Sequence, residues 1–155
     1  MSYTYKQLST ADVEILKELL KVFGDAFNDS DAYQSAVPSN SYLEATLSKP
    51  HVIIVAALNG NEVVGGLAAY ELDKFEQDRR EIYIYDLAVA EKHRRKGIAR
   101  NLISALRDIA KQRKAYVIYV QADTQDLPAI RLYESLGARE DVHHFDIAVD
   151  SENAK

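Results

Sequence analysis

A single mixed α/β domain is what the sequence predicts, on three observations. The chain has 155 residues, 47% of them hydrophobic and 28% charged, enough for one buried core and too few for two. Its apolar residues recur with a period of two in some segments and of about 3.6 in others. Cap and turn signals order those segments as β-α-α-β-β-β-α-β-α-β, with no internal repeat.

Each element has a local reason. Tyr3 to Leu8 alternates as a short strand. Ser9-Thr10-Ala11-Asp12 reads as a capping box, and Val13, Leu16, Leu20 and Phe23 at helical spacing carry a helix to Gly24. Asp25 to Asn40 is polar, contains Pro38 and reads as a loop. Ser41 to Glu44 opens a second helix that ends before Pro50. His51 to Leu58 is a β-branched run too continuous for a solvated face. Asn59-Gly60 suits a tight hairpin because both residues tolerate positive φ, and Glu62 to Leu72 returns. Gly65-Gly66 inside that strand marks a bulge or close packing.

Asp73 to Arg80 is turn-like, and Glu81 to Val89 is a β-branched and aromatic strand. The next helix puts Ile98, Leu102, Ala105, Leu106 and Ile109 on one face, with Lys111, Arg113 and Lys114 at its C-terminal end. Ala115 to Ala122 is a strand. Asp126-Leu-Pro128 starts the last helix, which Gly137 closes. Val142 to Val149 alternates as a final strand.

Composition narrows the function. There is no cysteine, which removes disulfides, thiolate nucleophiles and Cys-ligated metals. No apolar stretch approaches the roughly 20 residues that span a bilayer, and the N-terminus has no secretory core, so a cytoplasmic protein without membrane partners is expected. The net charge is −5, yet Lys92 to Arg100 holds five cations and no acid. One basic knot on an acidic chain suits gripping a compact anion and receiving a cationic small molecule; nucleic acid would need a broader basic face.

That knot lies between a strand and a helix. Amides opening a helix lack intrahelical partners and bind anions, Gly97 allows close approach, and Arg94, Arg95, Lys96 and Arg100 add charged donors. A pyrophosphate is the natural guest. As a merely solvated helix start, the cations would oppose the dipole and each other. The Walker run is absent, and only Gly97 of the three dinucleotide-fingerprint glycines is present. His143-His144 is not ligand spacing, because adjacent strand residues point apart; no metal site is expected. His93 is expected on the loop surface, and no Ser/His/Asp set is apparent.

These residues resemble a family. Arg94-Arg-Lys-Gly97-Ile-Ala99 is similar to the pyrophosphate loop of the GNAT superfamily of acetyl-CoA-dependent N-acetyltransferases. Asp86-Leu-Ala-Val89 resembles its fourth strand, and Asp126-Leu-Pro-Ala129-Ile-Arg-Leu-Tyr133 with Gly137 resembles its last-helix signature. The runs 74–77, 81–89, 115–123 and 144–147 resemble gentamicin-type aminoglycoside 3-N-acetyltransferases more closely. The resemblance implies a single GNAT domain over 1–150 with a tail at 151–155. It also implies a mixed, mostly antiparallel sheet flanked by about four helices, with strands four and five splayed.

It further implies roles. Acetyl-CoA would pair with the main chain of Leu87, Ala88 and Val89, and rest its pyrophosphate on Arg94, Arg95, Lys96, Gly97, Ile98, Ala99 and Arg100, with Asp126 and Ala129 beside it. Tyr133 matches the general acid that protonates the departing thiolate. Asp126 stands where many members have Asn, and Tyr83 where many have a glutamate base. Asp86, a charge in an apolar strand, is therefore the expected base; strict alternation sets it opposite Tyr83 and Tyr85 unless a bulge intervenes. Asp123 and Asp146 are expected to hold a cationic aminoglycoside, with Tyr85 shaping the pocket and Asp25, Asp29 and Asp31 at the rim. Glu81 reads as an ordinary surface acid. The resulting chemistry is direct amine attack on the thioester, conferring antibiotic resistance. Another amine, such as a polyamine or a protein amine, or CoA binding without catalysis, stays open. So does a homodimer, for which the last strand would be the pairing element.

Overall fold

Alternating apolar strands need partners on both sides of their ladders, and the sheet supplies them in chain order. In the computed structural model, which describes residues 2–150, the chain forms two compact units divided after Gln121. The first contains β1 (Thr4–Gln7), β2 (Val52–Asn59), β3 (Glu62–Asp73), β4 (Arg80–Val89) and β5 (Ala115–Val120), adjacent in that order. Neighbours from β1 to β4 are antiparallel, and β4 and β5 are parallel. Its helices are α1 (Val13–Ala26), α2 (Ser30–Gln34), α3 (Asn40–Ser48) and α4 (Ile98–Gln112); the second unit holds α5 (Leu127–Leu136). No helix among the described residues is long and apolar enough to cross a membrane.

The capping box forms: the Ser9 N–H donates to Asp12 Oδ2 at 2.8 Å, and Lys6 Nζ lies 2.7 Å from Oδ1. Burial pushes the Asp12 carboxyl up, but the hydrogen bonds from Lys6 and Ser9 outweigh it and leave it below the ordinary range. Two local expectations change. The 25–40 segment contains α2, because Asp29 Oδ1 accepts from the Ala32 amide at 3.3 Å and starts a helical turn. The next helix begins earlier than Ser41, with Ser39 Oγ accepting from the Tyr42 amide. In the hairpin Asn59 pairs with Glu62, and only Gly60 takes positive φ, at 61°. That is the requirement of a type II′ turn, and the expected hairpin forms.

The sheet buries both faces. Ile54 and Ala56 pack with Leu16, Leu19 and Phe23 of α1 and with Leu43 of α3. Ile53 and Val55 point the other way, to the side closed by α4, whose Ile98, Leu102 and Leu106 are buried. Gly66 is where α1 comes down: a Cβ there would lie 2.5 Å from Leu19 Cδ1 and 2.8 Å from Val55 O. At Gly65 a Cβ would meet Ala88 O at 2.8 Å. Val64, next to this pair, has no partner in the β2–β3 register. The glycine pair therefore serves both close packing and a bulge.

The strand expected over 142–149 does not form. Residues 138–148 have no regular structure, and Val142, Phe145, Ile147 and Val149 are exposed. Alternation prescribes a face but supplies no hydrogen-bonding neighbour. The pairing element expected for a homodimer is thus not a strand in this chain, and the tail at 151–155 lies outside the described residues.

Candidate active site

A bulge in β4 decides the site. Arg80 to Ile84 pair with β3, Asp86 to Val89 pair again, and Tyr85 between them is left over: Ala69 opposes Ile84 while Ala68 opposes Asp86. Directly opposed residues share a face. Asp86 therefore joins Ala68, Tyr70 and Tyr83, reversing the orientation that strict alternation prescribes. Its carboxylate is half-buried, and Tyr33 Oη of α2 donates to Oδ1 at 3.1 Å. Burial raises the Asp86 pKa, and the Tyr33 hydrogen bond pulls it partly back. Burial, then the Asp86 charge, drives the Tyr33 phenol well above its ordinary value, so the phenol stays a donor. Phe23 and Phe27 hold the Tyr33 ring, with centroids 6.1 and 5.7 Å away. Sequence reasoning missed Tyr33; the available signal was an aromatic residue inside a polar loop.

β4 parts from β5 beside this carboxylate. The parallel pairing stops at Ile84 and Val120, so Tyr85 to Val89 have β3 on one side and no β5 strand on the other. The edge over Leu87, Ala88 and Val89 is therefore not covered by β5. Beyond Val89, a 3-10 turn (Glu91–His93) leads into the loop before α4. Arg94 Nε donates to Val89 O at 3.0 Å, tying the loop to the strand end. Arg95 (φ 63°) and Gly97 (φ 79°) both take the left-handed region, and no side chain caps α4. A Cβ on Gly97 would meet nothing within 4 Å, so there is open space beside the start of the helix. Arg94, Arg95, Lys96 and Arg100 are exposed around it, Ala99 is half-buried, and Ile98 is buried as the anchor. Such an end can seat a compact polyanion.

His93 does not lie on that surface. It is 4% exposed, and its Nδ1 is 2.9 Å from Tyr3 Oη. The strand start reaches across to it, a long-range contact that local composition does not encode. Lys92 pairs with Glu62 at 2.8 Å. Glu81 accepts from Tyr116 Oη, a structural role.

The other expected residues belong to the second unit. Asp126 Oδ1 accepts from the Ala129 amide at 3.2 Å, so this carboxylate caps α5. Tyr133 on the same helix is half-buried; burial, then the Asp126 charge, raises its phenol pKa. Asp123 is exposed before α5, and Asp146 is exposed with His144 Nε2 2.9 Å away. Gly137 ends α5 in an extended conformation, its amide donating to Tyr133 O at 2.9 Å.

Residues 14–138 match the model of the acetyltransferase (GNAT) family, a span that runs across both units. The chain is similar to a crystallised aminoglycoside acetyltransferase from an uncultured soil metagenomic sample. Identity is 53% over 97% of this chain and 100% of that one, with a TM-score of 0.95. A second soil metagenomic aminoglycoside acetyltransferase, solved in complex with sisomicin, is 28% identical over 96% and 97% of the two chains, with a TM-score of 0.88. An uncharacterized N-acetyltransferase of Bacillus subtilis, YhfO, is 26% identical over 88% of this chain and 89% of its own length.

Proposed function

We infer the reaction from one premise: the chain belongs to the acetyltransferase (GNAT) family. It has that family's single-domain α/β fold, with a five-stranded mixed sheet, parallel β4 and β5, and four long helices beside the short α2. It is an acetyltransferase. The acceptor we assign is an amine of an aminoglycoside antibiotic, at the 3-N position, with resistance to the drug as the consequence. The observation that carries the acceptor class is 53% identity, across 97% of the chain, to an aminoglycoside acetyltransferase.

Acetyl-CoA fits the residues present. Its diphosphate matches the α4 N-terminus at Gly97 and the cations Arg94, Arg95, Lys96 and Arg100, and its pantetheine matches the stretch of β4 from Leu87 to Val89 that β5 does not cover. Asp126 and Ala129, which engage each other to start α5, are the residues of the second unit assigned to the cofactor. The group supplies an activated acyl thioester. The acceptor amine arrives protonated, and Asp86 takes that proton at a carboxylate oxygen, directly or through one water. Burial favours this transfer by raising the basicity of Asp86. Tyr133, kept protonated by burial, is the proton donor to the departing sulfur. Asp123 and Asp146 are exposed acids suited to a polycation without doing chemistry, and Tyr85 flanks the base.

The test is an acetyl-CoA turnover assay with aminoglycosides that carry or lack a 3-amino group, beside spermidine. Turnover confined to drugs with that amine is the expected result. Equal turnover without it rejects the regiochemistry, and turnover of spermidine alone rejects the acceptor class.

A further inference from the structure

The face that carries Asp86 also carries a continuous row of tyrosines. Tyr70 of β3 is directly opposed by Tyr83 of β4, and Tyr83 in turn by Tyr119 of β5. The rings of Tyr83 and Tyr119 stack with centroids 4.8 Å apart. Tyr85, the extra residue of the bulge, stands edge-on to both Tyr70 (6.1 Å) and Tyr83 (5.8 Å). One irregularity in β4 thus turns two consecutive residues, a ring and a carboxylate, to the same side. α1 covers the other end of this face at Gly66 and Ala88 and leaves the tyrosines open. Tyr70 and Tyr119 are each 39% exposed, and Tyr85 is 64% exposed.

Core aromatics would be covered, whereas three of these four rings are exposed beside a half-buried acid. We propose that Tyr70, Tyr83, Tyr85 and Tyr119 form the recognition shelf for the acceptor, an aminated sugar ring that lies against them with a protonated amine directed at Asp86. The proposal rests on the aminoglycoside reading above. Three features select this occupant. Sugar C–H faces and ammonium groups are both attracted to the negative faces of aromatic rings. The carboxylate on the same face supplies the complementary charge. The rings have few rotatable bonds, so ordering them on binding costs little. Burial raises the phenols of both Tyr70, where the Asp86 charge is the next cause, and Tyr83, where Tyr85 is, so these rings present neutral hydroxyls.

The experiment is calorimetric titration of the full chain with gentamicin and, separately, with CoA. It compares wild type, the double variant Tyr85→Leu/Tyr119→Leu and the double variant Tyr85→Phe/Tyr119→Phe, with sedimentation of each. Gentamicin binding is expected to weaken about tenfold or more in the leucine variant and to stay near wild type in the phenylalanine variant, since ring faces bind and hydroxyls do not. CoA affinity should be equal in all three. Equal gentamicin affinity in wild type and the leucine variant overturns the shelf, as does a wild-type dimer that only the leucine variant dissociates. Failure of the underlying reading looks different: gentamicin binds tightly, with the expected variant pattern, but is not acetylated.

Discussion

Tyr33 Oη donates to Asp86 Oδ1 at 3.1 Å, joining a five-residue helix to a bulged strand 53 positions later. A donor to the ionised form holds a carboxyl down against the burial that lifts it. If Asp86 is the base, removing that donor must show in the pH dependence. In Tyr33→Phe the acid limb of kcat/KM is expected about one pH unit higher, since a hydrogen bond to a charged group is worth ~1.5–3 kcal/mol. The direction follows because a higher Asp86 pKa protonates the base at a pH where the wild type still works. A pH–rate profile with an unmoved limb rejects the coupling.

Asp86→Asn separates activity from stability. Turnover should fall about 10²-fold or more, the usual effect of losing a general base. A carboxyl whose pKa is raised in the folded state binds its proton more readily there, so its contribution favours folding below the unfolded pKa and is lost as pH rises through the folded one. At pH 7 the neutral amide should therefore melt at a higher temperature than the wild type. Calorimetric melting at pH 7 checks this, and a lower Tm contradicts a burial cost on the Asp86 carboxylate.

Gly97→Asp tests the diphosphate seat. Asp adopts left-handed backbone at a modest cost, and a Cβ there meets nothing within 4 Å, so the fold should survive. The added carboxylate faces the same amides as the ligand, and CoA binding should disappear. Retained affinity by calorimetry removes the loop from the cofactor site.

Tyr133→Phe deletes a phenolic proton on α5 without changing the ring. Single-turnover measurements should show a slower chemical step with CoA affinity preserved. Equal rates mean that water protonates the leaving sulfur.

Gly66→Ala tests the packing of α1 on the sheet. The new methyl meets Leu19 and the Val55 carbonyl, and Leu19 is fully buried. A loss of ~1–3 kcal/mol is expected in denaturant unfolding, against the small gain that Gly→Ala brings where there is room.

Local interactions explain what was readable without a fold. The capping box at Ser9 and Asp12, the hairpin around Gly60 and the cationic loop from Arg94 to Gly97 are each complete within a few residues. Neighbours in the chain therefore specify them. The parting of β4 from β5 was expected only through resemblance to a family. Asp86 was recognisable as a charge in an apolar strand, but its side of the sheet was not.

The chain's own order of residues determined the number and kind of most elements, the cationic loop before α4 and the charge of Asp86 within an apolar strand. Tertiary structure alone decided which face Asp86 occupies, that Tyr33 reaches it, that His93 is buried under Tyr3, and that the segment over 142–149 stays unpaired. The reason is physical: capping and turn formation are settled by contacts a few residues apart, whereas register, burial and strand pairing depend on segments that meet only after the sheet has assembled.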